Sequence, residues 1–471
     1  VKNKFLRSFF SSGLQAVSVQ IIGVVFFYFT SVLLSKDDFG IISWANAVSV
    51  FLTTLLSLGL EQIVIRRVAS SNRSDWAAAA FFLHSIFTSL LAALTIAIIA
   101  TISHRAVYGY LLLFFTAQAV MYVGSPLKQL LNARDNFLPY GIIAFISNVL
   151  KLVFAVIVYK CNFLSVRSVA YILIATAVVE VISLLIYIQV KSPLKFRIRK
   201  QAYLKLIKEA FPQYMAGLFD SSLSRMDWIL LGILSTNAVT ASYSFAYRAF
   251  EVAKLPLTII APIIMVKLAR MAQQGGRPDK AKGELINQML HAELFLSVFI
   301  FLMLNILWGP VVTQLTHGKY GDSNASQFLF LSACLPLQFF INLLWTLTFT
   351  HKQYKKILYV IAVSAVLNVL LNLLVIEKLG GLGAAIAYFA TNIVQAVIYY
   401  LIVKKHILTI SIMPLLVLPC IAVGAYFCAT FISKAVVIEF ALAGAIYVIA
   451  SLFTKQITWK QLSSIKAYAS R

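Results

Sequence analysis

Apolar residues along this chain gather into long runs separated by short polar breaks. A helix needs about 20 such residues to cross a hydrocarbon layer. About fourteen runs of that length can be read, at roughly 11–35, 40–64, 77–101, 107–131, 138–159, 169–190, 209–235, 238–266, 284–308, 325–350, 356–376, 382–403, 411–432 and 436–454. Pro256 and Pro262 interrupt the eighth run, and proline removes a helix hydrogen bond, so a kink or break is expected there. Polar residues inside the runs keep helical spacing. Gln118, Tyr122, Ser125, Gln129 and Asn132 form one stripe along the fourth run, and Ser43, Asn46, Thr53, Ser57 and Glu61 form a similar face on the second. Stripes of this kind either join helices by hydrogen bonds or line a hydrated cavity. Their recurrence in several runs favours a cavity.

Composition settles the solvent. Of 471 residues, 61% are hydrophobic and 12% are charged, against about 25% charged in soluble domains. The expected fold is therefore an all-α integral membrane protein. Its net charge of +24 reports topology rather than nucleic acid. With the N-terminus in the cytoplasm, 29 of the 40 basic residues fall in cytoplasmic segments and 7 in opposite-side loops, which is the positive-inside bias. Both termini are then cytoplasmic, and anionic membrane lipids are secondary partners. The basic start, VKNKFLRSFFSSGL, leads into an apolar stretch reaching Leu34, too long for a cleaved signal, so it reads as a retained first span.

The basic loop at 191–208 divides the runs into two blocks of six, with two further spans behind them. The expected domains are 1–200, 201–405 and 406–471. An even number of spans makes both blocks cross in the same sense, as a parallel repeat would. Cys161, Cys334, Cys420 and Cys428 form no CxxC pair and read as packing residues. No phosphate-cradling glycine loop, metal-ligand spacing or nucleophile elbow is present. With short opposite-side loops, this points away from an enzyme and from any cofactor.

Charge inside a span is costly and usually faces a protein interior or water. The segment SRMDWILLG, 224–232, places Arg225 and Asp227 in such a position. At about 100° per residue, Asp220 and Asp227 share a direction and Arg225 points elsewhere, so no ion pair within that helix is expected. Arg248, Glu251 and Lys254 recur every third residue and suit a local ion-pair ladder. Arg225 and Arg248, on neighbouring spans, read as an anion site. Asp220, Asp227, Glu251 and Glu180 are the groups able to carry a coupling cation, Na+ or H+.

Three stretches resemble one family. FGIISWANAVSVFLTTLLSLGLEQIVIRRVA (39–69), SRMDWILLGILSTNAVTASYSFAYRAFEVAKL (224–255) and LNVLLNLLVIEKLGGLGAAIAYFATNIVQAVIYY (367–400) are similar to segments of bacterial polysaccharide flippases of the O-antigen and capsule type. These belong to the multidrug/oligosaccharidyl-lipid/polysaccharide exporter superfamily. The resemblance implies two six-helix lobes around a central V-shaped cavity, with two extra C-terminal helices. It implies alternating access and a cargo of undecaprenyl-diphosphate-linked oligosaccharide, moved to the periplasmic leaflet of the bacterial inner membrane. Other membrane proteins of polysaccharide assembly would be partners. In that reading Arg225, Arg248 and Lys151 offset the diphosphate, and Gln118, Tyr122, Gln129 and Asn46 hydrogen-bond the sugars. A drug or organic-cation antiporter of the same superfamily stays open, since the four deep bases face five carboxylates: Glu180, Asp220, Asp227, Glu251 and Glu293. A membrane enzyme of polysaccharide assembly is disfavoured by the short loops.

Overall fold

The computed structural model describes residues 20–70, 75–191, 200–273 and 280–458. The start of the first expected span, residues 192–199 of the basic loop and the end of the basic tail lie outside them. Every described residue in regular structure is helical. Among the described residues, eleven helices are long and apolar enough to cross a membrane. The chain separates into two compact units, Val1–Ala241 and Ser242–Arg471. The division falls after the long helix that follows the basic loop, not within the loop.

The first unit holds α1 (Gln20–Leu33), followed by α2 (Lys36–Ser57), α3 (Leu60–Ser70), α4 (Asp75–Ser103), α5 (Ala106–Ala133), α6 (Phe137–Lys160), α7 (Val166–Lys191) and α8 (Lys200–Leu234). Ser35 caps α2: its Oγ accepts the Asp38 N–H at 3.1 Å. Asp37 and Asp38 in the first turn complement the helix dipole. The expected second span is two helices rather than one. Leu58 adopts φ 46°, a left-handed conformation that ends α2 and lets α3 start in a new direction. Helix α8 packs against α2, α3 and α4. Its first turns complete an apolar core in which Leu206 and Ala210 join Leu60, Val64, Phe81, Leu127 and Leu184.

The second unit holds most of α9 (Asn237–Ala253), then α10 (Leu255–Gln273), α11 (Lys280–Leu307), a one-turn α12 (Thr313–Leu315), α13 (Ala325–Thr350), α14 (Tyr354–His406), α15 (Met413–Ile432) and α16 (Val436–Phe453). The expected break in the eighth span occurs between α9 and α10, with Pro256 in the first turn of the new helix. Its missing N–H is harmless there, because first-turn amides have no partner within the helix. Pro262 lies within α10. The eleventh and twelfth expected spans are the two helical halves of α14, parted at Gly380 (φ 54°, ψ −131°). A side chain is strongly disfavoured in that conformation. Helices α11, α13, α15 and α16 share one core, which includes Leu290, Leu294, Leu343, Leu344, Leu418 and Tyr447.

The longest short loop of the sequence reading, after α11, is a packed cap. Trp308 stacks on Phe328 with ring centroids 3.6 Å apart, and its Nε1 donates to Asn324 Oδ1 at 3.1 Å. Asn324 Nδ2 donates to the Ser242 carbonyl at 2.9 Å. Tyr320 stacks on Phe245 at 4.1 Å. The start of α9 is thereby tied to the end of α11 and the start of α13.

Candidate functional site

In the first unit the two predicted polar stripes meet. Gln118 Nε2 on α5 lies 3.5 Å from Thr53 Oγ1 on α2, and Ser125 Oγ donates to Glu61 Oε1 on α3 at 2.9 Å. Asn132 Nδ2 donates to Gln129 Oε1 along the same helix at 3.3 Å. These contacts join α5 to α2 and α3. Tyr122 is buried with its ring edge-on to Phe81 at 5.9 Å. Asn46 is exposed and stands apart from these pairs.

The charged residues sort by helix. Arg225 lies over the Trp228 ring, 5.4 Å from its centroid. Asp227 is completely buried, and its Oδ1 accepts the Trp228 backbone N–H at 2.9 Å. Asp220 is exposed. Glu180, on α7, is 3% exposed and accepts Lys128 Nζ of α5 at 2.8 Å. Lys151, on α6, donates to Asn148 Oδ1 at 2.9 Å. Lys128 lies near the end of the fourth apolar run. Helix α5 continues to Ala133, so it belongs to the helix, and its pairing with a carboxylate two helices later has no local signature.

In the second unit Arg248 and Glu251 pair at 2.7 Å, as their spacing predicts. Lys254 Nζ stands 4.6 Å from the Phe250 ring centroid. Phe250 and Tyr247 both meet the Tyr388 ring edge-on, at 5.9 and 5.7 Å. Next to them Gln338 Nε2 donates to Asn392 Oδ1 at 2.5 Å and approaches Tyr388 Oη at 3.5 Å. A cation, aromatic rings and carboxamides thus come together from α9, α13 and the second half of α14. This chemistry suits a polar, anionic ligand: carboxamides exchange hydrogen bonds with hydroxyls, and the ring faces cover apolar sugar faces. Gln338, Tyr388 and Asn392 were not singled out beforehand, because their helices lie far apart in sequence.

Two further polar features lie in this unit. Asn368 and Asn372 are fully buried, and Asn372 Nδ2 donates to Asn368 Oδ1 at 3.1 Å. Glu293 on α11 is 4% exposed, and neither carboxylate oxygen has a hydrogen-bond partner among the described residues. Arg225 belongs to the first unit and Arg248 to the second. Among the described residues, no group of three or more His, Cys, Asp or Glu side chains is placed to hold a metal ion.

The profile of the polysaccharide biosynthesis protein family matches residues 5–273. Among curated proteins none matches the sequence. Among solved structures, a lipid II flippase, MurJ, in an inward closed conformation aligns with TM-score 0.74 and 14% identity, covering 94% of this chain and 98% of its own. An inward-facing multidrug-resistance MATE transporter of the MOP superfamily aligns with TM-score 0.63 and 15% identity, covering 82% of this chain and 94% of its own. A MOP superfamily transporter from Pyrococcus furiosus aligns with TM-score 0.59 and 12% identity, covering 85% of this chain and 94% of its own. The fold is that of the MurJ and MATE proteins.

Proposed function

The chain belongs to the polysaccharide biosynthesis protein family, and from that premise we propose that it is a flippase. Its cargo is an oligosaccharide linked to undecaprenyl diphosphate. The cargo moves from the cytoplasmic to the periplasmic leaflet of the bacterial inner membrane by alternating access. Such a cargo is polar and anionic at one end and apolar at the other, and its headgroup cannot cross hydrocarbon unaided. The observation that carries the reading is the placement of cationic side chains in apolar segments: Lys151 and Arg225 on helices of the first unit, Arg248 on α9 and Lys254 at the break between α9 and α10 in the second. A carrier selective for organic cations would be poorly served by them. The Gln338–Asn392–Tyr388 group and the stripe of Gln118, Tyr122, Gln129 and Asn46 supply hydrogen bonds for sugar hydroxyls. The protein carries its ligand chemically unchanged and is not an enzyme.

A cation gradient, Na+ or H+, drives the cycle through Asp220, Asp227 or Glu251. Glu180 is a weaker choice than its sequence position suggested, because Lys128 already holds it. Proteoliposomes loaded with lipid-linked oligosaccharide test the proposal through sugar exposed on the far leaflet. Arg225→Ala is expected to cut transport at least tenfold with the protein still present at normal abundance. A charge-assisted contact contributes roughly 1.5–3 kcal/mol, about ten- to a hundredfold. Arg225→Lys is expected to recover part of the loss, since it keeps charge without the planar fork. Full transport by Arg225→Ala would remove the residue from the site. Co-purification of an organic cation in place of a lipid-linked sugar would favour the antiporter instead.

A further inference from the structure

Helix α8 runs for 35 residues, Lys200–Leu234, where about 20 would cross the hydrocarbon. Pro212 divides it. Proline leaves a helix hydrogen bond unmade and is the usual seat of a bend. The two sides of Pro212 meet the rest of the first unit differently. Beyond it the fit is to bare backbone. A Cβ on Gly59 would stand 2.8 Å from the Tyr214 nitrogen, and one on Gly232 would stand 2.0 Å from Cδ1 of the Trp44 ring. Tyr214 Oη also donates to the Leu55 carbonyl at 3.2 Å. Contacts this close fix that part of α8 on α2.

Residues 201–211, the arm before Pro212, are held mainly by polar side chains. Glu209 accepts Arg66 Nη2 at 3.2 Å and Arg67 Nη2 at 2.6 Å, both from α3. Side-chain exposures are 66% for Arg66, 26% for Arg67 and 29% for Glu209, so water replaces these partners at small cost. On α4, His84 Nε2–H donates to the Leu56 carbonyl at 2.8 Å, which leaves Nδ1 to accept the Tyr203 hydroxyl at 2.7 Å. Leu206 and Ala210 are the fully buried apolar contacts of the arm. From Tyr203 a row of rings leads inward to His84, Phe81 and Tyr122, with successive centroids 6.0, 6.4 and 5.9 Å apart. Tyr122 is 4% exposed and shares a core with Leu206 and Ala210, yet the flippase reading asks it to bond sugar hydroxyls.

We propose that residues 201–211 are a hinged cover over Tyr122, clasped shut by Glu209 on Arg66 and Arg67 and by Tyr203 on His84. The structure has the cover closed. Bending at Pro212 lifts Leu206 and Ala210 out of their core and opens the Tyr122 end of the α5 stripe to cargo. The rest of α8, which carries Arg225 and Asp227, stays on α2. The clasp lies at the end of the unit that holds Arg66, Arg67, Lys205 and Lys208, the basic side assigned to the cytoplasm. The inference deepens the flippase reading and rests on it for the purpose of the opening, not for the opening itself.

Thiol labelling without cargo tests the cover. The full chain, with Cys161, Cys334, Cys420 and Cys428 replaced by alanine, is placed in phosphatidylcholine nanodiscs and treated with a maleimide. Single cysteines report three buried positions: Ala210→Cys on the arm, Tyr122→Cys in the core behind it and Ala45→Cys on α2. Adding Glu209→Gln is expected to speed labelling at positions 210 and 122 by roughly fivefold or more, as the open population rises, and to leave position 45 unchanged. Reversing the pair, Arg67→Glu with Glu209→Arg, is expected to slow both again. Unchanged labelling at position 210 in Glu209→Gln overturns the clasp, and faster labelling there without a change at position 122 overturns the cover. Equal acceleration at all three positions is general loosening of the fold and overturns the inference as well. Failure to move sugar in proteoliposomes, with the expected labelling pattern intact, would count against the flippase reading alone.

Discussion

Arg248 shows how a single side chain divides two interpretations. Its 2.7 Å pair with Glu251 is the contact expected if the residue only stabilises α9. Removing one partner of a half-buried pair strands the other charge, which costs more than the pair contributes. Arg248→Ala is therefore expected to lower the thermal stability of the purified protein. The double replacement Arg248→Gln with Glu251→Gln is expected to restore stability but not transport, if the guanidinium also binds cargo. Melting temperature and sugar export measured on the same three preparations separate the two roles. Full export by the neutral double mutant would leave Arg225 as the main arginine of the site. The spacing of Arg248 and Glu251 made their pairing legible in sequence, because three residues along a helix bring side chains to one face. The spacing of Lys128 and Glu180 could not, since the pair spans two helices.

Individual helices depart from their sequence outline where backbone geometry intervenes. The second expected span breaks at Leu58, whereas the eleventh and twelfth stay two helices, parted at Gly380. Apolar pattern reports which residues avoid water and is silent about a single left-handed residue within a run. Gly380→Ala is expected to destabilise the protein by about 1–2 kcal/mol, the usual cost of forcing a side chain into such a conformation. A thermal melt in detergent checks this, and an unchanged melting temperature would mean that the turn relaxes freely. The cap at 308–324 was expected only as a loop. Its aromatic stacks and the two hydrogen bonds of Asn324 arise from residues distant in sequence. Trp308→Ala is expected to cost about 3–5 kcal/mol, read as earlier unfolding of the second unit by protease sensitivity.

At the scale of the molecule, the prediction is topological. Cysteines placed at Lys319 and Lys434 should react with an impermeant thiol reagent added to intact cells, and one placed at Arg197 should react only after lysis. The reverse pattern would invert the orientation. The amino-acid sequence by itself determined the solvent, the helical class, the approximate span positions and the family resemblance. Each follows from hydrophobic length, basic asymmetry or contiguous motifs, and all are properties of neighbouring residues. Tertiary structure decided the division into units at Ala241 and Ser242. It also decided the company each charge keeps. Lys128 came to Glu180, the polar stripes of α2 and α5 met each other, and Gln338 found Asn392. Those outcomes depend on which helix faces which across the packed interior, and a side chain's partner there is fixed by helix rotation and proximity in space.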